Sequence, residues 1–188
     1  MIVFEKRSKL VGNKKEEKRA TDFGPTTLKQ DTARLVIKLV VIALVIGAVF
    51  TWIFGIFRYA DLGMKPGMKD GDLLIVYRVD KGYAAGDVTV FDYHGQTLAG
   101  RIVAVAGDTV DITSEGLLVN GARQQEDGVV GQTDRYEGGP AFPLVVAEGQ
   151  IFVLGDNRGQ STDSRIIGCL NARDTFGKVI GLIRRRNI

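Results

Sequence analysis

The chain has one cysteine, one histidine and four prolines in 188 residues. One cysteine cannot close an intramolecular disulfide. One cysteine with one histidine also falls short of the three or four nitrogen and sulfur ligands that a zinc site takes. A cysteine–histidine nucleophile needs Cys169 and His94 to meet in the fold. Neither the P-loop pattern nor the glycine fingerprint of dinucleotide-binding proteins occurs, so nucleotide chemistry is not expected and no cofactor or metal is predicted. At 45% hydrophobic residues the chain is too apolar to be disordered. Its length fits one folded unit with a tail or anchor, at about 100–200 residues per domain.

A strong excess of either charge is missing as well, since 25 Lys and Arg against 22 Asp and Glu leave a net of +3. The surplus is unevenly placed. Residues 1–34 hold nine basic and five acidic residues, a net of +4; with Lys38 set apart, residues 58–188 hold 15 basic and 17 acidic, a net of −2. Between them, Leu39 to Phe57 is apolar and uncharged throughout, extended upstream by Leu35, Val36 and Ile37. About 20 apolar residues at about 1.5 Å each cross a hydrocarbon core of about 30 Å. The run starts too late and ends in residues too bulky for a cleaved signal peptide. It predicts a transmembrane helix over 35–57, with Lys38 at one edge and Trp52 and Tyr59 towards the other interface. The positive-inside rule puts the tail, 1–34, in the cytoplasm and residues 58–188 outside the cytoplasmic membrane. The basic stretch Lys14–Arg19 then reads as a lipid-facing tail, and no nucleic-acid partner is expected.

The outer segment carries twenty of the 24 glycines. Short apolar runs alternate there with Gly-Asp or Asn-Gly: 73–77, 88–91, 102–106, 110–112, 117–119, 144–146, 151–154 and 178–183. Runs of this length and spacing predict an all-β domain, a many-stranded sheet or barrel. Asn120-Gly121 predicts a type I′ hairpin, and His94-Gly95 another hairpin turn. The polar, glycine-rich stretch from Arg123 to Pro143 reads as an insertion or long loop away from any chemistry.

The densest cluster is Gly155–Gly168, GDNRGQSTDSRIIG, directly after the run 151–154. Taken by itself it is a tight turn, with Asp156 and Asn157 suited to bonding neighbouring amides and Asp163 and Arg165 spaced to form an ion pair. As a pattern it resembles the signature of type I signal peptidases, membrane-anchored serine proteases that remove signal peptides outside the cytoplasmic membrane. The resemblance continues in order through Met64-x-Pro66, Gly71-Asp72, Gly86-Asp87-Val88-x-Val90-Phe91, Arg101-Ile102-Val103-x-Val105-x-Gly107-Asp108, Val119-Asn120-Gly121 and Gly177-Lys178-Val179. It implies a signal-peptidase-like β-domain behind one N-terminal anchor. The resemblance also implies supporting roles for Gly155, Asp156, Asn157, Arg158 and Ser161, and a structural ion pair between Asp163 and Arg165.

The departures fall on the chemistry. The family's nucleophile is the serine before Met-x-Pro, where this chain has Gly63; its general base is the lysine before Arg-Ile/Val, where this chain has Gly100. Glycine supplies neither the hydroxyl nor the amine, and removing either member of such a unit costs several orders of magnitude in rate. No residue is therefore assigned a catalytic role. Lys65, which in an extended segment would share a side with Gly63, has no nucleophile to activate. Cys169 reads as a buried thiol, and Ser161 matches a residue that in the family supports the catalytic lysine. A peptide groove needs only backbone edges and pockets, so binding of an extended peptide as an added strand is expected to persist. Its walls would be Leu62, Gly63, Met64 and Pro66 on one side and Leu98, Ala99 and Gly100 on the other, made roomier by the glycines. Relatives of this degenerate kind accompany pilus genes in Gram-positive bacteria. The resemblance therefore implies a pilin subunit, or a preprotein, as partner and sortase machinery as context. The competing expectation is a working signal peptidase with a different nucleophile.

Overall fold

The computed structural model describes residues 25–184. By internal contacts the chain divides after Val49 into two units. The first is carried by helix α1, Pro25–Ile53, whose final turn belongs to the second unit. Within Lys29–Ile53 an 18-residue stretch has a mean hydropathy of 2.6 and none of it is buried, so this helix is long and apolar enough to cross a membrane by length and composition. Leu35 to Phe50 are exposed on every face, and Trp52 is 86% exposed. An apolar surface on all sides of a helix is out of place in water and matched to lipid.

The helix ends four residues before the apolar run does. Phe54–Phe57, expected to complete the span, instead open strand β1, Phe54–Arg58, which pairs antiparallel with β2, Leu73–Tyr77. Tyr59, expected at the membrane interface, is 1% exposed within the second unit.

That unit is all-β. Its remaining strands are β3, Val88–Tyr93; β4, Gln96–Val105; β5, Thr109–Thr113; β6, Gly116–Val119; β7, Ala122–Arg123; β8, Leu144–Val145; β9, Gln150–Leu154; β10, Leu170–Asn171; and β11, Gly177–Ile183. A single helical turn, α2, spans Ser164–Ile167. The larger sheet runs β1-β2-β11-β3-β4-β9-β10 and the smaller β7-β6-β5-β8. The larger sheet ends at β1 and β10, so it is open and not a closed barrel.

Both predicted hairpins are present. His94 and Gly95 have φ of 51° and 80°, and Asn120 and Gly121 have 53° and 77°. Two consecutive positive φ values are what a two-residue type I′ loop requires.

Strand alternation sorts the core. On one face of β4, Leu98 and Ile102 pack with Phe91, Ile151 and Val153. On the opposite face Ala99 packs with Tyr59, Met64, Met68, Leu74, Val76 and Val90. Beyond a bulge between Ile102 and Ala104, Ala104 joins Phe152 and Leu154 against Val110, Ile112, Leu117 and Val146 of the smaller-sheet region. The two sheets thus share one apolar contact, and β4 and β9 carry its centre.

Candidate functional site

β9 delivers the chain into Gly155, and the residues that follow fold back on themselves. Asp163 caps α2 by accepting the Arg165 amide at 3.1 Å, and its carboxylate also accepts from Arg165 Nε and Nη2, both at 2.9 Å. The Gly155 amide (3.0 Å) and the Ser161 hydroxyl complete its shell. Asp163 and Arg165 are each 1% exposed, so the expected ion pair is fully buried and fully bonded. Arg165 also donates to the Arg158 carbonyl at 2.6 Å and lies over the Tyr136 ring at 4.9 Å.

Ser161 is enclosed by this cluster. Its hydroxyl donates to Asp163 and accepts from Arg165 Nη2 at 3.0 Å. The Ser161 hydroxyl is one of five donors on the Asp163 carboxylate.

The loop after Arg123 had been expected to stand apart from the chemistry, and it does not. Arg158, 3% exposed, pairs with Glu126 and bonds Thr133, while its Nε donates to the Gly155 carbonyl at 2.8 Å. The Val130 amide donates to the Asp156 carbonyl at 2.7 Å, and the Arg158 amide returns the bond to Val130 at 2.8 Å. Burial pulls the Arg158 guanidinium below its ordinary range, and Glu126 opposes that pull. A second bridge ties the box to β4: Arg101 Nε and Nη2 grip the Asp156 carboxylate at 2.8 and 2.7 Å.

Across from the box, residues 62–68 are a chain of turns and not an extended wall. The Lys65 amide bonds the Leu62 carbonyl at 3.2 Å and the Met68 amide bonds Met64 at 2.9 Å. Lys65 and Pro66 are consequently exposed, and Lys65 does not share a side with Gly63 as an extended strand would require. The loop's polar backbone is already engaged. Gly63 accepts from the Asn157 amide at 2.8 Å, Leu62 accepts from Asn157 Nδ2 at 3.2 Å, and the Met64 amide donates to the Tyr59 hydroxyl at 2.9 Å. Asp61, which the sequence did not single out, accepts the Gly63 amide at 3.1 Å and the Tyr59 hydroxyl at 3.3 Å. Burial, then the Asp61 charge, hold the Tyr59 phenol far above its ordinary range, so it stays protonated.

The glycines are crowded. A Cβ at Gly63 would lie 2.8 Å from Asp61 Oδ2, 3.1 Å from Ser161 Cβ and 3.3 Å from Ser161 Cα. One at Gly100 would lie 3.2 Å from Val153 Cβ and 3.5 Å from Phe91 Cε1. Neighbours thus stand close to the Cβ position of both glycines. Gly155 completes the same junction, its Cβ direction pointing 2.6 Å from both the Gly63 carbonyl and Ser161 Oγ. Gly63, Gly155, Asn157 and Ser161 therefore meet, whereas the nearest atoms to Gly100 belong to β9 and β3. His94 sits exposed in the β3–β4 turn against Tyr93, and Cys169 packs beside the Phe152 cluster with its thiol pushed up by burial. Neither is an activated nucleophile or base.

One wall of the expected groove does retain free capacity. β4 pairs with β3 from Gln96 to Arg101 but with β9 only from Arg101 onward. The Gly86 amide bonds Ile102 and the Ile102 amide bonds Asp87. Antiparallel alternation from that pair directs Gln96, Leu98 and Gly100 towards β3, and turns the amides and carbonyls of Thr97 and Ala99 to the other side, where no strand pairs with them among the described residues although Ala99 is 5% exposed. That is the donor and acceptor pattern an added strand takes up.

Residues 32–183 match the family described as signal peptidase, peptidase S26. A signal peptidase I of Bacillus licheniformis is 28% identical over 141 residues, covering 69% of this chain and 76% of that protein. A probable signal peptidase I-1 of Synechocystis is 30% identical over 159 residues, covering 77% and 79%. Among solved structures, a signal peptidase I from Enterococcus faecalis aligns over 52% of this chain and 96% of its own, at 28% identity and a TM-score of 0.43.

Proposed function

Since the chain belongs to the signal peptidase family, peptidase S26, we propose that it is a membrane-anchored member that binds an extended peptide without cleaving it. The observation that carries this reading is the pair Gly63 and Gly100, where the resemblance places nucleophile and base, each lacking a side chain and closely approached by its neighbours. No serine beside Gly63 substitutes for them, because Ser161 is locked between Asp163 and Arg165. The stretch at Thr97 and Ala99 that has no strand partner on one side supports retained binding. The peptide belongs to a preprotein or a pilin subunit. The domain lies outside the cytoplasmic membrane, as the +4 tail and −2 outer segment support, and the context is assembly by sortase machinery.

The alternative, a working signal peptidase, is favoured by the names its relatives carry. Full chain in detergent, incubated with a preprotein bearing a small-x-small site, separates the two. The binding reading expects intact preprotein that cross-links to the chain. Cleavage abolished by Ser161→Ala or Lys65→Ala overturns it. Cross-linking to a pilin subunit, absent with an unrelated secreted protein, is the corresponding check on the partner.

A further inference from the structure

Several acids of the domain are held in ion pairs. Asp156 holds Arg101 at 2.7 Å, Asp163 holds Arg165 at 2.9 Å, Glu126 holds Arg158, Asp72 holds Arg184 at 3.0 Å and Asp87 holds Lys178 at 2.7 Å. Asp61 is half-buried, accepts only the Gly63 amide and the Tyr59 hydroxyl through one oxygen, and has no ion pair among the described residues. Its other oxygen has no partner among the described residues, and a cationic donor makes the strongest hydrogen bond to a carboxylate.

Its position gives that charge a role. Gly155 follows Leu154, the last β9 residue paired to β4, opposite Arg101. The Gly63 carbonyl lies 2.6 Å from the Cβ direction of Gly155. The Asp61–Gly63 loop therefore stands at the end of β9, where the stretch of β4 without a strand partner on that side begins. A strand laid along Thr97 and Ala99 would continue the line of β9 from the place where this loop meets Gly155.

We propose that the site selects a peptide carrying a lysine or arginine, whose cationic group seats on Asp61 while its backbone pairs with Thr97 and Ala99. The selection rests on the peptide-binding reading above. It works in both directions. A basic side chain supplies the missing counter-charge, whereas a small apolar one covers Asp61 and leaves the carboxylate buried and unpaired.

Fluorescence anisotropy on the full chain in detergent tests this with short fluorescein-labelled peptides of Ala, Ser, Thr and Val. The peptides carry a central lysine, arginine or norleucine. The basic peptides are expected to bind about tenfold tighter than the norleucine peptide, the scale of one charge-assisted bond. The preference shrinks as salt is raised, and Asp61→Asn, whose side-chain carbonyl still accepts the Gly63 amide, removes it. N-methylation of alternate peptide amides weakens all three. Equal binding of lysine and norleucine peptides overturns the inference and leaves peptide binding standing, and no binding by any peptide overturns both. A preference that survives Asp61→Asn, or that salt does not change, also overturns the selection by Asp61.

Discussion

Gly63 and Gly100 are surrounded differently, and the difference sets what can be put back. At Gly63 the shortest contact, 2.8 Å to Asp61 Oδ2, is with the tip of a side chain, but Ser161 Cα at 3.3 Å is backbone. At Gly100 the obstacle is Val153, 0% exposed in a packed strand. Gly63→Ser with Gly100→Lys is therefore expected to stay inactive towards preprotein and to lose about 2 kcal/mol of stability, the usual cost of overpacking. Adding Asp61→Gly recovers the part due to the carboxylate; thermal melts of the three chains read it directly. Breaking the buried pair is more severe: Arg165→Ala leaves Asp163 charged and enclosed, a loss of about 3–5 kcal/mol. A milder probe is Asp72, whose carboxyl the Arg184 hydrogen bond holds below the ordinary carboxylate range despite the opposing effect of burial. A folded-state pKa below the unfolded value stabilises at pH above about 4, and that contribution disappears as pH falls through the folded value. Melting temperatures of the native chain and Arg184→Ala should thus differ at neutral pH and converge in acid.

At the scale of elements, the 126–136 segment and the box behave as one unit. Glu126→Ala strands the buried Arg158 and should cost about 3 kcal/mol. Amide exchange should speed up at Val130 and Arg158 together, because their amides bond across the two segments. This brace was hidden in the sequence, since a polar stretch rich in glycine has no periodicity to reveal its contacts. The strands were legible where β-branched runs met Gly-Asp or Asn-Gly, and Asp163–Arg165 was legible because two residues of spacing suffice for a local pair. The apolar run 102–106 marks only the second half of β4; the first half, from Gln96, was legible through the His94-Gly95 turn and the groove strand at Leu98 and Ala99, and is formed by pairing with β3. The helix end was missed for the converse reason: Phe54–Phe57 are as apolar as a span, and only their pairing with β2 makes them a strand. The Arg101–Asp156 grip joins segments 55 residues apart, which no spacing announces, whereas Asp61 bonds Tyr59 and Gly63 two residues away and carries no motif that marks it.

For the whole molecule, the charge division and the exposed apolar helix make one prediction together. In intact cells stripped of their wall, added protease should degrade the β-domain, and a tag ahead of Lys6 should be protected until the membrane is opened. Protection of the domain with digestion of the tag would reverse the orientation. The box, meanwhile, draws its bonds from Asp163, Arg165, Arg158, Glu126, Arg101 and backbone, and none of these needs a side chain at 63 or 100. Folding and chemistry in this scaffold are therefore subject to separate selection. A lineage can shed the dyad while every molecule still reaches the native state, so the domain is open to inheritance for a second use without an intermediate that fails to fold.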